Sequence, residues 1–222
     1  MEASRKNDKM KTSEALKIIG GSLSKPSKMP GWSIGLPAKE CKTGGKLRDV
    51  FGSVCYECYA LKGCYVFKVV QEAQYRRLAA IKKSRWVAAM VHLINSKKPD
   101  VFRWHDSGDV QDLQHLIKIF QVCERTPTKR HWLPTREAWI KDYLHKKPNN
   151  LVIRFSAPMV NQRAPESWPN SSEVVTEGGN CPSSKSLKPQ ATSIKPQAAS
   201  IKLKATSNKL TDHGPWKKFH GA

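Results

Sequence analysis

No stretch of about 18 or more consecutive apolar residues occurs in the chain, so no membrane-spanning helix is expected. The opening residues, MEASRKNDKMK, lack the apolar core of a secretory signal, which points to the cytoplasm. Acid is scarce. Only 18 Asp and Glu stand against 39 Lys and Arg, for a formal charge of +21. That imbalance disfavours basic partners and favours polyanions, nucleic acid first. The lysines crowd into the first 30 and last 40 residues, however, so at most a weak, salt-sensitive, sequence-independent contact is expected from them. Solubility alone accounts for such tails equally well. A second Cys-x2-Cys step is also missing. Four-cysteine zinc sites ordinarily carry two such steps.

What the chain does have is a cysteine cluster. Four of its six cysteines, Cys41, Cys55, Cys58 and Cys64, fall between residues 41 and 65 with the spacing C-x13-C-x2-C-x5-C. Two thiolates two residues apart can grip one metal ion or neighbouring atoms of one cluster. Gly44, Gly45, Gly52 and Gly63 flank them and let the backbone approach a bulky inorganic centre. Disulfides are disfavoured in a reducing compartment, and ordinary buried thiols do not cluster this way. The stretch reads as a metallocentre loop, iron–sulfur before zinc. Cys64 is either a fourth ligand or a packed thiol, and spacing does not choose between them.

The rest of the chain alternates. Polar residues 1–29 form a basic extension with a short helix, SEALKII, ended by Gly20-Gly21. Strands are expected at 32–37, 101–105, 129–134 and 150–156. Helical periodicity covers 65–97, divided near Ser84, and also 113–124 and 137–147. Arg76, Arg77, Lys82, Lys83 and Arg85 read as a solvated face of the first of these, ahead of a contact with a polyanion. Val174-Val175-Thr176 is a candidate edge strand. Strands alternating with helices indicate βαβ units and a parallel sheet. Sites in such sheets lie at the carboxyl ends of the strands, so the cysteine loop, His105-Asp106-Ser107-Gly108-Asp109, Thr135-Arg136-Glu137 and Ser156-Ala157-Pro158 should converge on one rim. Residues 30–182 would be the α/β metallocentre domain. Residues 183–222 form a basic low-complexity tail, within which 186–210 repeat every seven residues with too little apolar content for a core.

CYECYALKG, FRWHDSGD and the later PTRE together resemble a phage family known as gene product 88, over roughly Ser33 to Pro158. Related phage families with a GCxxCYA step look similar to radical S-adenosylmethionine proteins. The resemblance implies a partial (β/α) barrel with a mostly parallel sheet and a [4Fe–4S] cluster on Cys41, Cys55 and Cys58, in the host cytoplasm. It also implies S-adenosylmethionine as a second cofactor, contacted by Ser107, Gly108 and Asp109. The chain departs from the radical pattern in the 13-residue gap between its first two cysteines and in having only four or five strands.

Three thiolates would leave one iron open to a ligand, whereas Cys64 as a fourth would close the centre into an electron carrier or a staple. His105 is a further candidate ligand, set against a histidine that merely satisfies a turn. Asp109 reads as a cofactor contact or as the cap of the next helix. Arg136 and Glu137 could hold a carboxylate or ribose, or form a surface ion pair, with Arg154 and Ser156 behind them. Redox or radical chemistry on an unknown small-molecule substrate, fed by an electron donor, is one reading. The other is a non-catalytic module stabilised by zinc or a closed cluster, with basic surfaces that contact nucleic acid. No residue is assigned a catalytic role.

Overall fold

The computed structural model describes residues 10–27 and 29–177, and the backbone of residues 202–207. Five strands run parallel in sequence order: β1 (Trp32–Ile34), β2 (Val101–Trp104), β3 (Arg130–Thr135), β4 (Leu151–Val160) and β5 (Asn170–Val175). A sixth, β6 (Lys202–Ser207), closes the edge antiparallel to β5. Neighbours in the sheet being neighbours in sequence is the arrangement of a segment of barrel wall, so the expected mostly parallel α/β fold is present. The edge position expected for Val174 and Val175 is taken instead by β6. Six residues of the seven-residue repeat therefore form a strand rather than lacking structure. The first two repeat units carry Pro189 and Pro196 where the third has Leu203, and proline cannot donate to a sheet ladder.

Helices α1 (Thr12–Ile19), α3 (Lys68–Ala80), α4 (Trp86–Asn95) and α5 (Leu113–Glu124) pack with the sheet around one core; a further short helix, α2 (Lys42–Leu47), lies within the cysteine loop. Gly20, left-handed at φ 84°, ends α1 as its sequence predicts. Strand alternation sorts the two faces of the sheet. Phe102, Trp104, His131, Leu133, Leu151, Ile153 and Phe155 are buried with Trp86, Met90, Leu93, Leu116 and Ile119 from the helices. Each such apolar side chain contributes about 1.5–3 kcal/mol. Apart from the buried Val101, the alternate residues of β2, β3 and β4, including Arg103, Trp132, Arg154 and Ser156, are only partly covered.

The helical region expected at 65–97 is two helices separated by residues 81–85, close to the expected break at Ser84. Arg77 is not on a solvated face. It is buried, and its guanidinium donates to the Gly35 carbonyl at 3.3 Å and the Ser22 carbonyl at 2.7 Å, tying α3 to the segment that leads into and out of β1. Residues Ala138–Lys146, expected as an α-helix, wind as a 3-10 helix. Asn150 fixes the start of β4 by donating to the carbonyls of Cys123, Thr126 and Lys129 at 2.9–3.0 Å.

Candidate metal centre

The 33 residues from Gly35 to Phe67 leave β1 and cross the carboxyl ends of the neighbouring strands before α3 begins. Hydrogen bonds fasten this loop at each strand it passes. Leu36 N donates to Ser107 O at 2.8 Å, and Ser107 Oγ donates to Leu36 O at the same distance. On the far side, Val54 N donates to Pro158 O at 2.8 Å and Val160 N to Gly52 O at 2.9 Å. The loop thus spans the rim from β1 to β4, which brings its thiols over the turns that follow β2 and β3.

Cys41, at the N-terminus of α2, is influenced by Asp109, Cys58, Cys55 and Glu137. The Cys41 and Cys55 sulfurs both stand within 4 Å of one point beside Gly44, and Cys58 acts electrostatically on both. No disulfide joins the described cysteines. Gly44 sits one turn into α2. A Cβ placed there would stand 3.1 Å from Cys41 Cβ, 3.4 Å from Cys55 Sγ and 3.7 Å from Cys41 Sγ, so the absent side chain leaves a cradle against both sulfurs. Burial, and then the negative charge of Asp109 and the other thiols, pushes the Cys41 thiol up to about 12. Burial also raises Cys55, opposed by Arg136, whose Nε donates to Cys55 Sγ at 3.0 Å.

Residues after β2 and β3 build the support. Glu137 is buried; it accepts from Thr43 N and Thr43 Oγ1 at 2.9 Å each and from Trp139 Nε1 at 3.1 Å, so it clamps the first turn of α2 beside Cys41. Asp109 is buried and accepts from Val110 N at 2.7 Å, Thr135 Oγ1 at 2.7 Å and Arg136 N at 2.8 Å. Desolvation moves its carboxyl up to about 6, against these hydrogen bonds. Asp109 does not cap α5; Asp112 does, accepting from His115 N at 2.7 Å. Gly108 is required twice over. Its φ is +76°, and a Cβ would lie 2.6 Å from Leu36 Cβ. Ser107 also accepts from Gln74 Nε2 at 2.9 Å. The Ser107-Gly108-Asp109 turn thus holds the cysteine loop down, with the polar atoms of Ser107 and Asp109 engaged inside the chain.

His105 lies in the interior rather than at the open rim. Its ring is buried against Trp104 and His115, with centroids at 6.3 and 5.2 Å, and neither ring nitrogen has a hydrogen-bond partner among the described residues. Burial holds its pKa well below the ordinary value. Cys64 is exposed in the 3-10 turn Gly63–Val66 and is not among the groups that act on Cys41. Arg154 donates to Ser171 O at 2.8 Å, and Ser156 and Ser172 hydroxyls meet at 3.4 Å. Cys181 lies outside the described residues.

Among the described residues, no group of three or more His, Cys, Asp or Glu side chains is closed around a single metal ion. Sulfurs on one tetrahedral zinc stand roughly 3.8 Å apart, given a Zn–S bond of about 2.3 Å. Thiolates on a cubane each bind a different iron and are spaced more widely. The donor set, three thiols with a cradle beside two of them and a guanidinium on one, is compatible in kind with the larger centre. Arg136 Nη1 is buried at the same place and has no hydrogen-bond partner among the described residues.

Thr43, and Arg48, which donates to the Ala38 carbonyl at 3.2 Å and whose charge also acts on Cys55, carried no signal in the sequence. Arg136 and Glu137 did, as a polar cluster directly after a strand, but they address the cysteine loop rather than forming a surface ion pair. No curated protein and no solved structure matches this chain. The family model described as Gene product 88 matches residues 1–192. That match covers most of the chain, and the protein belongs to the Gene product 88 family of phage proteins.

Proposed function

We propose that Cys41, Cys55 and Cys58 hold a [4Fe–4S] cluster and that the protein performs redox or radical chemistry on a small-molecule substrate. The observation that carries this reading is that the unbridged Cys41 and Cys55 sulfurs come together beside Gly44, with Cys58 acting on both, over the carboxyl ends of a parallel sheet. A bound cluster supplies one-electron chemistry at this rim. Three thiolates rather than four leave one metal position for an outside ligand, and S-adenosylmethionine is the ligand that the radical-protein resemblance implies.

The chain's own groups have definite tasks in this reading. Glu137 fixes α2 and with it Cys41. Arg136 offsets negative charge on Cys55 as its proton leaves. Asp109 locks the turn after β2 to the turn after β3, so the rim does not spread. The exposed Cys64 remains outside the ligand set.

Anaerobic purification followed by iron and acid-labile sulfide analysis tests the proposal. The expected result is a brown protein absorbing near about 400 nm, with Cys58→Ala colourless and Cys64→Ala unchanged. A colourless wild-type protein carrying one tightly held zinc would overturn it in favour of a zinc-stabilised module. Titration with S-adenosylmethionine, followed by electron paramagnetic resonance of the reduced protein, then asks whether an exogenous ligand reaches the metal. An unchanged spectrum argues against radical chemistry.

A further inference from the structure

The partly covered face of the sheet, opposite the helices, carries arginines that form no ion pair among the described residues. Arg103 pairs in register with Trp132, and Trp132 with Val152, so all three point to the same side. Arg154 lies two residues beyond Val152 on that side, in register with Pro134. Arg136 follows at the rim above. The Arg103 guanidinium lies over the Trp132 ring, 5.0 Å from its centroid, and its Nε is buried without a hydrogen-bond partner. Among the described residues no carboxylate comes within ion-pair distance of Arg103, Arg136 or Arg154.

Most of the nearby acids are committed elsewhere. Asp109 and Glu137 accept from the backbone and from hydroxyl and indole donors. Glu173 accepts from Ala164 N. Asp106 is the exception: it is buried, its Oδ1 has no hydrogen-bond partner among the described residues, and it acts through space on both Arg103 and Arg77 without an ion pair to either. Partly burying a guanidinium without an ion-pair partner is costly, and a bidentate oxyanion would relieve that cost. Burial alone depresses Arg154, whose Nη1 donates to the Ser171 carbonyl at 2.8 Å and which no carboxylate opposes.

We propose that Arg103 and Arg154 form a binding site for an oxyanion, the carboxylate or phosphate group of a small-molecule ligand, on this face of the sheet beside the thiol cluster. The two residues stand two strands apart, about 10 Å, and about one pleat repeat along the strands, a span that two extended arginine side chains close between them. The planar fork of each suits two oxygens of one group. Tyr59 flanks the site. Its hydroxyl donates to the Asp106 carbonyl, and both Arg103 and Cys58 act on it, so a ligand held here lies next to the cysteine rim. The inference does not depend on which metal, if any, the thiols bind.

The test uses the full chain and the arginine Nε–H resonances in nuclear magnetic resonance. Sodium phosphate and, separately, sodium acetate are titrated at constant ionic strength balanced with chloride. The Arg103 and Arg154 resonances are expected to shift saturably with at least one of the two, and the stronger one identifies the class of oxyanion. Arg154→Gln and Arg103→Gln should each weaken that binding by about tenfold or more, as for loss of one charge-assisted contact. Arg154→Lys should recover part of it. Arg85→Gln, at the exposed start of α4, should bind as wild type, and circular dichroism should show all four variants folded. Linear, non-saturating shifts of equal size in wild type and Arg154→Gln, or equal shifts at Arg85 and Arg154, would mean an unspecific ionic effect and would overturn the proposal. Should a variant unfold, the wild-type titration decides: saturation at Arg103 and Arg154 but not at Arg85 upholds the site, and its absence removes it.

Discussion

Replacing Gly44 with alanine separates folding from metal binding. Gly44 lies inside α2 without a positive φ, so alanine fits the backbone there and gains about 1 kcal/mol of helix propensity. The new methyl would meet Cys41 Cβ at 3.1 Å, which a shift of a few tenths of an ångström relieves. Metal-free Gly44→Ala should therefore unfold within about 1 kcal/mol of the wild type. Its methyl also stands 3.4 Å from Cys55 Sγ and 3.7 Å from Cys41 Sγ, where the cradle would otherwise admit a cluster. Iron and sulfide content after anaerobic reconstitution should fall to background although the protein is folded. Gly45→Ala is the control. It lies in the same helix with nothing within 4 Å of the added Cβ, and it should keep its iron. A Gly44→Ala protein with wild-type iron, sulfide and absorption would show that the centre does not occupy the space between these two sulfurs.

Three other outcomes follow from the supporting residues. Gly108→Ala forces a side chain into φ +76° and to 2.6 Å from Leu36 Cβ, and should cost about 1–3 kcal/mol or more in chemical denaturation. Glu137→Ala leaves Thr43 N and the Trp139 indole without their acceptor; a loss of about 2–3 kcal/mol in denaturation and a weakened hold on iron are expected. In metal-free protein the Asp109 carboxyl should titrate near 6 instead of 3.8 when followed by carbon-detected resonance. Because the folded value is the higher one, its contribution to stability is fully present below about pH 4. It is lost as pH rises through 6, by about 3 kcal/mol. A midpoint near 4 would refute the desolvation argument.

Much of the architecture was legible because it rests on local periodicity. The residues of α5, Leu113–Glu124, coincide with the helix read from Leu116, Ile119, Phe120 and Cys123 on one side. The Gly20 terminator of α1, the break near Ser84 and the strands at 101, 130 and 151 were likewise written in short-range pattern. The 3-10 winding of Ala138–Lys146 was not, since apolar spacing barely distinguishes it from an α-helix.

Composition and spacing by themselves determined a basic α/β chain with a cysteine loop after its first strand, because thiol clustering and hydrophobic period are one-dimensional properties. They could not decide which cysteines meet. Cys64 is closer in sequence to Cys58 than Cys41 is, yet it is Cys41 that shares the neighbourhood of Cys55 and Cys58. That choice belongs to the loop's course across the rim, fixed by Ser107, Pro158 and Glu137 from three different strand ends. Tertiary structure likewise turned Asp109 from a helix cap into a bridge between strand turns. It also brought Arg103 and Arg154 to one face of the sheet, because strand pairing joins residues that lie far apart along the chain.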